Sequence, residues 1–267
     1  MSQKAQNSDP RLPRRVRNEL RFRQISVASK TRVANCFWRI AFTGSDLDGF
    51  NSPSFDDHIK LFFPDEATHE LPLPQMTDEG VVWPGNIRPT ARDYTPLAFD
   101  GKENLTMDFY IHEGGVASSW ADRAQPGDRL VIGGPRGSQI IPEDYAFQIY
   151  LCDESGLPAL KRRLPAIQAE ALHVLVYADE ATGRDYLGDT RQLNIHWLGN
   201  GKMDLATSGD MIGTLDKISL PDEDYFIWLT GEGETVKMLG DYFIQRRGCD
   251  ARFVHAKAYW HRKPAKE

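Results

Sequence analysis

Cysteine is scarce. The 267 residues hold three, Cys36, Cys152 and Cys249, far apart in the chain. An odd count without C-x-x-C spacing excludes a disulfide framework and a thiolate metal site, and it favours reduced thiols in a reducing compartment, the cytoplasm. The seven histidines are scattered without H-x-x-H spacing, so no protein-ligated metal is expected. Long apolar runs are missing too: none approaches the ~20 residues that cross a bilayer, so no membrane insertion is expected. Ala146–Cys152, interrupted by Gln148, reads as a strand core. The N-terminus lacks the apolar region of a secretion signal. A G-x-G-x-x-G fingerprint, a P-loop, internal repeats and low-complexity tracts are all absent.

What is present is ordinary globular material, 40% hydrophobic and 26% charged, at a length between one large domain and two modest ones. Charge is uneven. Residues 1–34 carry nine Lys/Arg against Asp9 and Glu19, a net +7, so the total of −6 leaves −13 for the rest. A basic arm can bind nucleic acid, but aromatic interleaving is sparse, and residues 1–20 read as a flexible, solvated lead-in with no nucleic-acid partner.

The first half has the grammar of β-structure. Asn35–Thr43, His58–Phe63, Leu105–His112 and Arg129–Gly133 are strand-like runs broken by Pro and Gly, with one short helix over Val116–Ala124. After about residue 145 strands and helices alternate. Strands are expected at Phe147–Cys152, His173–Tyr177, Leu193–Leu198, Tyr225–Thr230 and Arg252–His255, and helices over Met203–Ile218 and Thr235–Arg247. The expected fold is an antiparallel β-barrel domain (21–143) followed by a parallel-sheet α/β domain (144–267), with the boundary near Ile141–Tyr145. That arrangement is ferredoxin-reductase-like.

Three clusters carry possible chemistry. In Arg92-Asp93-Tyr94-Thr95, strand alternation puts Arg92 and Tyr94 on one face and Asp93 and Thr95 on the other. One strand then offers a guanidinium for a phosphate and a ring for a planar partner, although such a tetrapeptide also occurs on ordinary strand surfaces. In His112-Glu113-Gly114-Gly115-Val116-Ala117-Ser118-Ser119-Trp120, a strand ends, two glycines turn, and a helix starts with small residues. Its free N–H groups and dipole suit an anion, while a serine-capped turn is the plainer reading. Trp120 is equally a core residue of that helix. Third, Gly133-Gly134-Pro135-Arg136 places a cation on a rim turn.

Taken together, RDYT and DFYIHEGGVASSWADRAQPGDRLVIGGPRGS, with DHIKLFFP upstream and DESGLPALKRRLPAI, TGEGETVKMLGDYF and AYWHR downstream, closely resemble the siderophore-interacting protein family of FAD-dependent ferric-siderophore reductases. The resemblance spans residues 15–262. It implies FAD as cofactor, NADH or NADPH as donor, and a ferric siderophore or other anionic ferric chelate as substrate. It assigns Arg92, Asp93, Tyr94 and Thr95 to the flavin side, and His112, Ala117, Ser118, Ser119 and Trp120 to the pyrophosphate and ribityl region. Glu232, in Gly231-Glu232-Gly233, becomes a nicotinamide-side candidate, with helix-dipole stabilisation as its alternative. Lys60, Arg136 and Arg262 become the basic cluster for the chelate. Lys60 is otherwise an exposed strand position, and Arg262 otherwise a solvated tail. No protein acid or base is required. The chain departs from the family pattern at Pro96-Leu97-Ala98, where another arginine is usual, and at Tyr259-Trp260-His261-Arg262-Lys263-Pro264. Asp179 and Glu180 suit a ribose hydroxyl and Arg184 a 2′-phosphate, which leaves the nicotinamide open. A monomer is the default. Rival functions are a related flavin oxidoreductase with another acceptor and a non-redox ferric-siderophore binding module.

Overall fold

The computed structural model describes residues 11–262 except 66, 79, 87 and 200–202. The chain forms two compact units, one from Val16–Ser138 with Arg184–Gly188, the other from Met1–Arg15, Gln139–Gly183 and Asp189–Glu267. Strands run in chain order as β1 (Arg14–Arg17), β2 (Phe22–Val33), β3 (Phe37–Thr43), β4 (Ile59–Phe62), β5 (Gln75–Thr77), β6 (Gly80–Val82), β7 (Ala91–Tyr94), β8 (Pro96–Phe99), β9 (Asn104–Tyr110), β10 (Arg129–Gly133), β11 (Gly137–Ile140), β12 (Phe147–Asp153), β13 (Ala171–Tyr177), β14 (Ile195–Trp197), β15 (Tyr225–Glu232) and β16 (Val254–Trp260). The helices are α1 (Val116–Arg123), α2 (Leu157–Arg163), α3 (Glu180–Leu187), α4 (Ser208–Leu215) and α5 (Gly233–Asp241).

Seven antiparallel strands in the order β7-β4-β10-β2-β3-β9-β8 make the half-barrel of the first unit. Alternation builds its core: Ile25, Val27, Ile40, Phe42, Leu105, Met107 and Phe109 point inward, and Ala117, Ala121 and Ala124 seat α1 against them. The half-barrel also buries the Asp108 carboxylate, which accepts from Arg39 Nε (2.8 Å) and Nη2 (2.7 Å) and from Tyr186 Oη (2.6 Å). Three charge-assisted bonds satisfy a group that would be costly to bury alone.

The other unit holds a parallel sheet ordered β14-β13-β12-β15-β16. β12 is buried at all seven positions, as a central parallel strand should be. Gln148 fits there because every polar atom finds a partner. Its amide donates to the carbonyls of Glu143 (2.8 Å) and Tyr145 (3.0 Å), and its oxygen accepts from Tyr150 Oη (2.7 Å). The strand order reverses about β12, and sheets of this kind bind ligands at the carboxyl ends of the strands on either side of that point, here β12 and β15.

The expected fold class is observed, with local differences. Met203–Ile218 forms only α4, because Thr207 and Asp204 close a side-chain turn instead: Thr207 N donates to Asp204 Oδ1 (3.1 Å) and Thr207 Oγ1 to the Asp204 carbonyl (2.9 Å). The helix expected over Thr235–Arg247 becomes α5 followed by a π-turn over Tyr242–Arg246. The last strand runs on to Trp260 rather than stopping at His255. Of the expected N-terminal arm, residues 1–10 lie outside the described residues. Arg14–Arg17 is β1, and Arg11 pairs with Asp144 (3.0 Å) and with Asp224. Lys263 and Pro264 also lie outside the described residues.

Candidate functional site: the barrel edge and the sheet crevice

β7 is an edge strand beside β4, in the register Ile59–Tyr94, Lys60–Asp93 and Leu61–Arg92. Directly opposed residues share a face, so Arg92 and Tyr94 lie on the side of Ile59 and Leu61, and Asp93 on the side of Lys60. Arg92 is exposed and its Nη1 donates to its neighbour's carbonyl, Ala91 (2.7 Å); no carboxylate among the described residues pairs with it. Tyr94 rests its ring on Phe109 at 4.5 Å, and burial pushes its phenol above the ordinary value despite the opposing charge of Arg92. Thr95 is buried at the strand end.

The second cluster follows β9. Gly115 is the N-cap of α1 and offers no side-chain cap, so the N–H groups of Val116, Ala117 and Ser118 lack intrahelical acceptors. Ser119 N–H is already spent on the Gly115 carbonyl (2.8 Å). The Ser118 hydroxyl accepts the His112 N–H (2.9 Å), tying the strand end to the helix, and leaves Ser118 its backbone N–H for a ligand. The exposed His112 ring lies against Gly115: a Cβ there would sit 2.3 Å from its Cε1, so only glycine fits without displacing the ring. Trp120 packs on Phe42 (6.2 Å), Phe63 (5.8 Å) and Phe109 (5.9 Å). Tyr94 and Trp120 therefore meet on Phe109, which brings the Arg92–Thr95 strand and helix α1 into one cluster.

Among the basic candidates, Lys60 faces outward with its side chain 49% exposed and pairs with Asp93 at 2.7 Å. Its outward orientation removes the cost an inward lysine would carry. Gly133 of β10 is the cross-strand partner of Lys60, and exposed Arg136 follows three residues later, so both cations belong to one rim of the half-barrel. Arg262 lies in the other unit and binds Asp204 at 2.7 Å, which draws the Asp204 carboxyl below its ordinary range.

In the crevice of the α/β unit, polar groups are largely committed. Glu232 caps α5, its carboxylate accepting from Thr235 N (2.9 Å) and Oγ1 (3.0 Å). Burial opposes its ionisation, yet the N–H groups of Thr235, Glu234 and Arg262 and the Thr235 hydroxyl outweigh it and hold the carboxyl below the ordinary range. Asp179 caps α3 by accepting Thr182 N–H (2.9 Å). Residues the sequence patterning did not single out also gather here. Burial pushes the Asp153 carboxyl up, while Ser155 and Trp260 hydrogen-bond to it, Trp260 Nε1 at 2.7 Å. Beside it, burial lifts Glu154 to about 7. Gly231, at φ +142°, is required: a Cβ would lie 2.5 Å from Met203 Sδ and 2.9 Å from Asp153 Oδ2. The DESG run at a strand end was the available signal for these residues, but it matches no phosphate-loop pattern.

Two family models match, a siderophore-interacting FAD-binding domain over residues 26–139 and a siderophore-interacting protein domain over 145–263. An Escherichia coli protein named NADPH-dependent ferric-chelate reductase is 47% identical over 96% of this chain and 100% of its own length. The ferric vibriobactin reductase ViuB of Vibrio cholerae is 29% identical over 90% of this chain and 89% of its own. A siderophore utilization protein from T. fusca superposes with a TM-score of 0.82 at 31% identity, covering 94% of this chain and 96% of that one. The FAD/NAD-binding domain of a Vibrio cholerae nitric oxide dioxygenase, at 13% identity and TM-score 0.59, shares the fold alone. With its half-barrel, its uncapped helix and its full-length kinship to the E. coli reductase, the chain belongs to the siderophore-interacting protein family.

Proposed function

We propose that the chain is a cytoplasmic, monomeric ferric-chelate reductase that moves electrons from NADPH, through FAD held on the half-barrel, to the iron of an anionic ferric chelate such as a ferric siderophore. The observation that carries this reading is the open N-terminus of α1, three N–H groups without a cap, in the same aromatic cluster as Tyr94 and its neighbour Arg92. Bound FAD supplies the conversion between the two-electron chemistry of a nicotinamide and the one-electron reduction of ferric iron.

The residues present fit that cofactor. Val116, Ala117 and Ser118 offer N–H donors and Arg92 the remaining donors of an exposed guanidinium to a pyrophosphate, a pairing that suits two negative charges. His112 and Ser119 border the same turn. Tyr94 and Thr95 flank the ring system with an aromatic face and a hydroxyl, and Trp120 braces the turn from the core side. Lys60, Arg136 and Arg262 supply positive charge for the chelate, with Asp93 holding Lys60 in place. Glu232 serves the nicotinamide side by fixing the turn between β15 and α5. No side chain needs to give or take a proton for electron transfer. Release of iron follows from chemistry, since hard oxygen ligands hold ferric iron more tightly than ferrous. NADPH as donor and a ferric chelate as acceptor are supported by the name of the E. coli relative. The cytoplasm is supported by Cys36, Cys152 and Cys249, none of which is joined in a disulfide.

An absorption spectrum followed by anaerobic titration tests the proposal. The purified chain should carry flavin absorbance, bleach at lower concentrations of NADPH than of NADH, and regain colour on addition of a ferric siderophore. Well-folded protein that neither retains nor takes up FAD would overturn it.

A further inference from the structure

Past Ala258, the end of β16 turns across the carboxyl edge of its own sheet. Gly231 pairs with Ala258 and Glu232 with Trp260, so Tyr259 is the extra residue of a bulge. A bulge of this kind re-aims the side chain that follows it. Here the indole of Trp260 reaches past β15, which lies between β16 and β12, and its Nε1 donates to Asp153 Oδ2 at the end of β12 (2.7 Å). The Arg262 N–H donates to the Glu232 carboxylate at the end of β15. The Arg262 guanidinium then holds Asp204 (2.7 Å), on the segment between β14 and α4.

The His261 ring fills the gap between these ties. It lies directly on Gly233, the first residue of α5: a Cβ there would sit 2.2 Å from His261 Nδ1 and 2.3 Å from its Cε1. Gly233 does not have a left-handed backbone, so conformation does not call for glycine at this position. The missing side chain serves instead to admit a flat ring. The ties differ in strength along the tail. Trp260 is half-buried and bonded to a buried carboxylate, whereas His261 and Arg262 are exposed. The Arg262–Asp204 pair joins side chains 56% and 26% exposed, and ion pairs so placed contribute little. The tail is thus anchored at Trp260 and weakly held beyond it, over the edge where sheets of this type take up dinucleotides.

We propose that His261 and Arg262 form a strap across the donor crevice of the donor-free protein, and that the nicotinamide ring of NADPH takes the place of the His261 ring on Gly233 while Trp260 stays as the pivot. The proposal rests on the NADPH-dependent reductase reading and states how the donor site of that reaction is opened. One planar heteroaromatic ring exchanges for another on the same glycine. Because only molecules with the strap lifted can bind, the strap lowers the apparent affinity for the donor in proportion to the lifted fraction.

The test titrates NADP+, which cannot reduce the flavin, into the FAD-loaded protein by calorimetry. His261→Ala empties the slot on Gly233 and should raise NADP+ affinity about fivefold, as expected for a strap closed in about four molecules of five. Arg262→Ala cuts the tie to Asp204 and should shift affinity in the same direction by a smaller factor. Both residues are exposed, so neither change threatens the fold. In the parent protein, NADP+ should speed hydrogen exchange in the C-terminal peptide that contains Arg262, as its amide leaves Glu232. The proposal is overturned if NADP+ affinity falls in either variant or stays the same in His261→Ala. It is equally overturned if NADP+ slows that exchange, since the tail would then be part of the donor's own contact surface. The NADPH reading fails separately, through parent protein whose flavin NADPH does not bleach.

Discussion

Two helix starts, one in each unit, show opposite treatments of the same physical problem. Both α1 and α5 begin with N–H groups that have no partner inside the helix. At α5 the protein answers with its own carboxylate, since Glu232 is buried and bonded to Thr235. At α1 the cap is Gly115, which offers nothing, and no acid stands in the first turn. A helix that carries its own anion has little need of a ligand's; one left open near an arginine with no carboxylate partner among the described residues does. The contrast favours the proposed anion site on the half-barrel over the α/β unit, where burial lifts the Glu154 carboxyl to about 7.

The sharpest way to break this contrast is to close the open helix. Gly115→Val puts a side chain where the His112 ring now rests. That ring is at the surface and can swing aside, so the fold should survive while FAD binding weakens by about 3 kcal/mol, roughly 150-fold, as donors and ring position are lost. Flavin absorbance per folded protein, with circular dichroism as control, reads the result; full flavin occupancy would remove α1 from the site.

The next effect belongs to Glu154. Its folded carboxyl titrates above an ordinary glutamate because burial disfavours the charge. As pH rises from about 4.5 to 7, the unfolded chain releases this proton before the folded one does, so folding loses stability across that window. Glu154→Gln should abolish this loss, leaving the variant more stable than the parent by about 2 kcal/mol at pH 8 and little changed at pH 4. Denaturant melts at the two pH values decide it. Parallel curves would show that Glu154 is not buried in solution.

The smallest expected effect is at the closed helix. Glu232→Ala should cost about 1 kcal/mol of stability, the worth of an N-cap, and lower Tm by a few degrees without loss of flavin. An unchanged Tm with a raised KM for NADPH would instead mean that Glu232 meets the nicotinamide directly and that the two helix starts are more alike than their hydrogen bonds imply.

The proposed flavin-side cluster is legible in the chain because its pieces are local: Arg92 to Thr95 is one strand end, and His112 to Trp120 one turn and helix. Trp120 could not be placed from sequence, since a tryptophan on a short helix serves core or ligand equally well; contacts with three phenylalanines settle its packing. β2 was hidden for a different reason. Its Arg23, Lys30 and Arg32 belong to the basic stretch of residues 1–34 and mask the strand pattern, yet Ile25 and Val27 alternate inward along a full strand. The hairpin around Met76 and Val81 is too short for alternation to reveal it. In the second half, the strand through Trp260 ran past its expected end because Trp260 is held by Asp153, 107 residues away.

By itself the sequence determined the class of fold, an antiparallel half followed by a parallel one, and the uncapped, small-residue start of α1, because periodicity and capping act within a few residues. Only the tertiary structure decided that Lys60 meets Asp93 on the outward face, that Tyr186 reaches Asp108, and that His261 rests on Gly233. Those outcomes depend on strand register and chain return, which bring together residues whose local patterns carry no trace of one another.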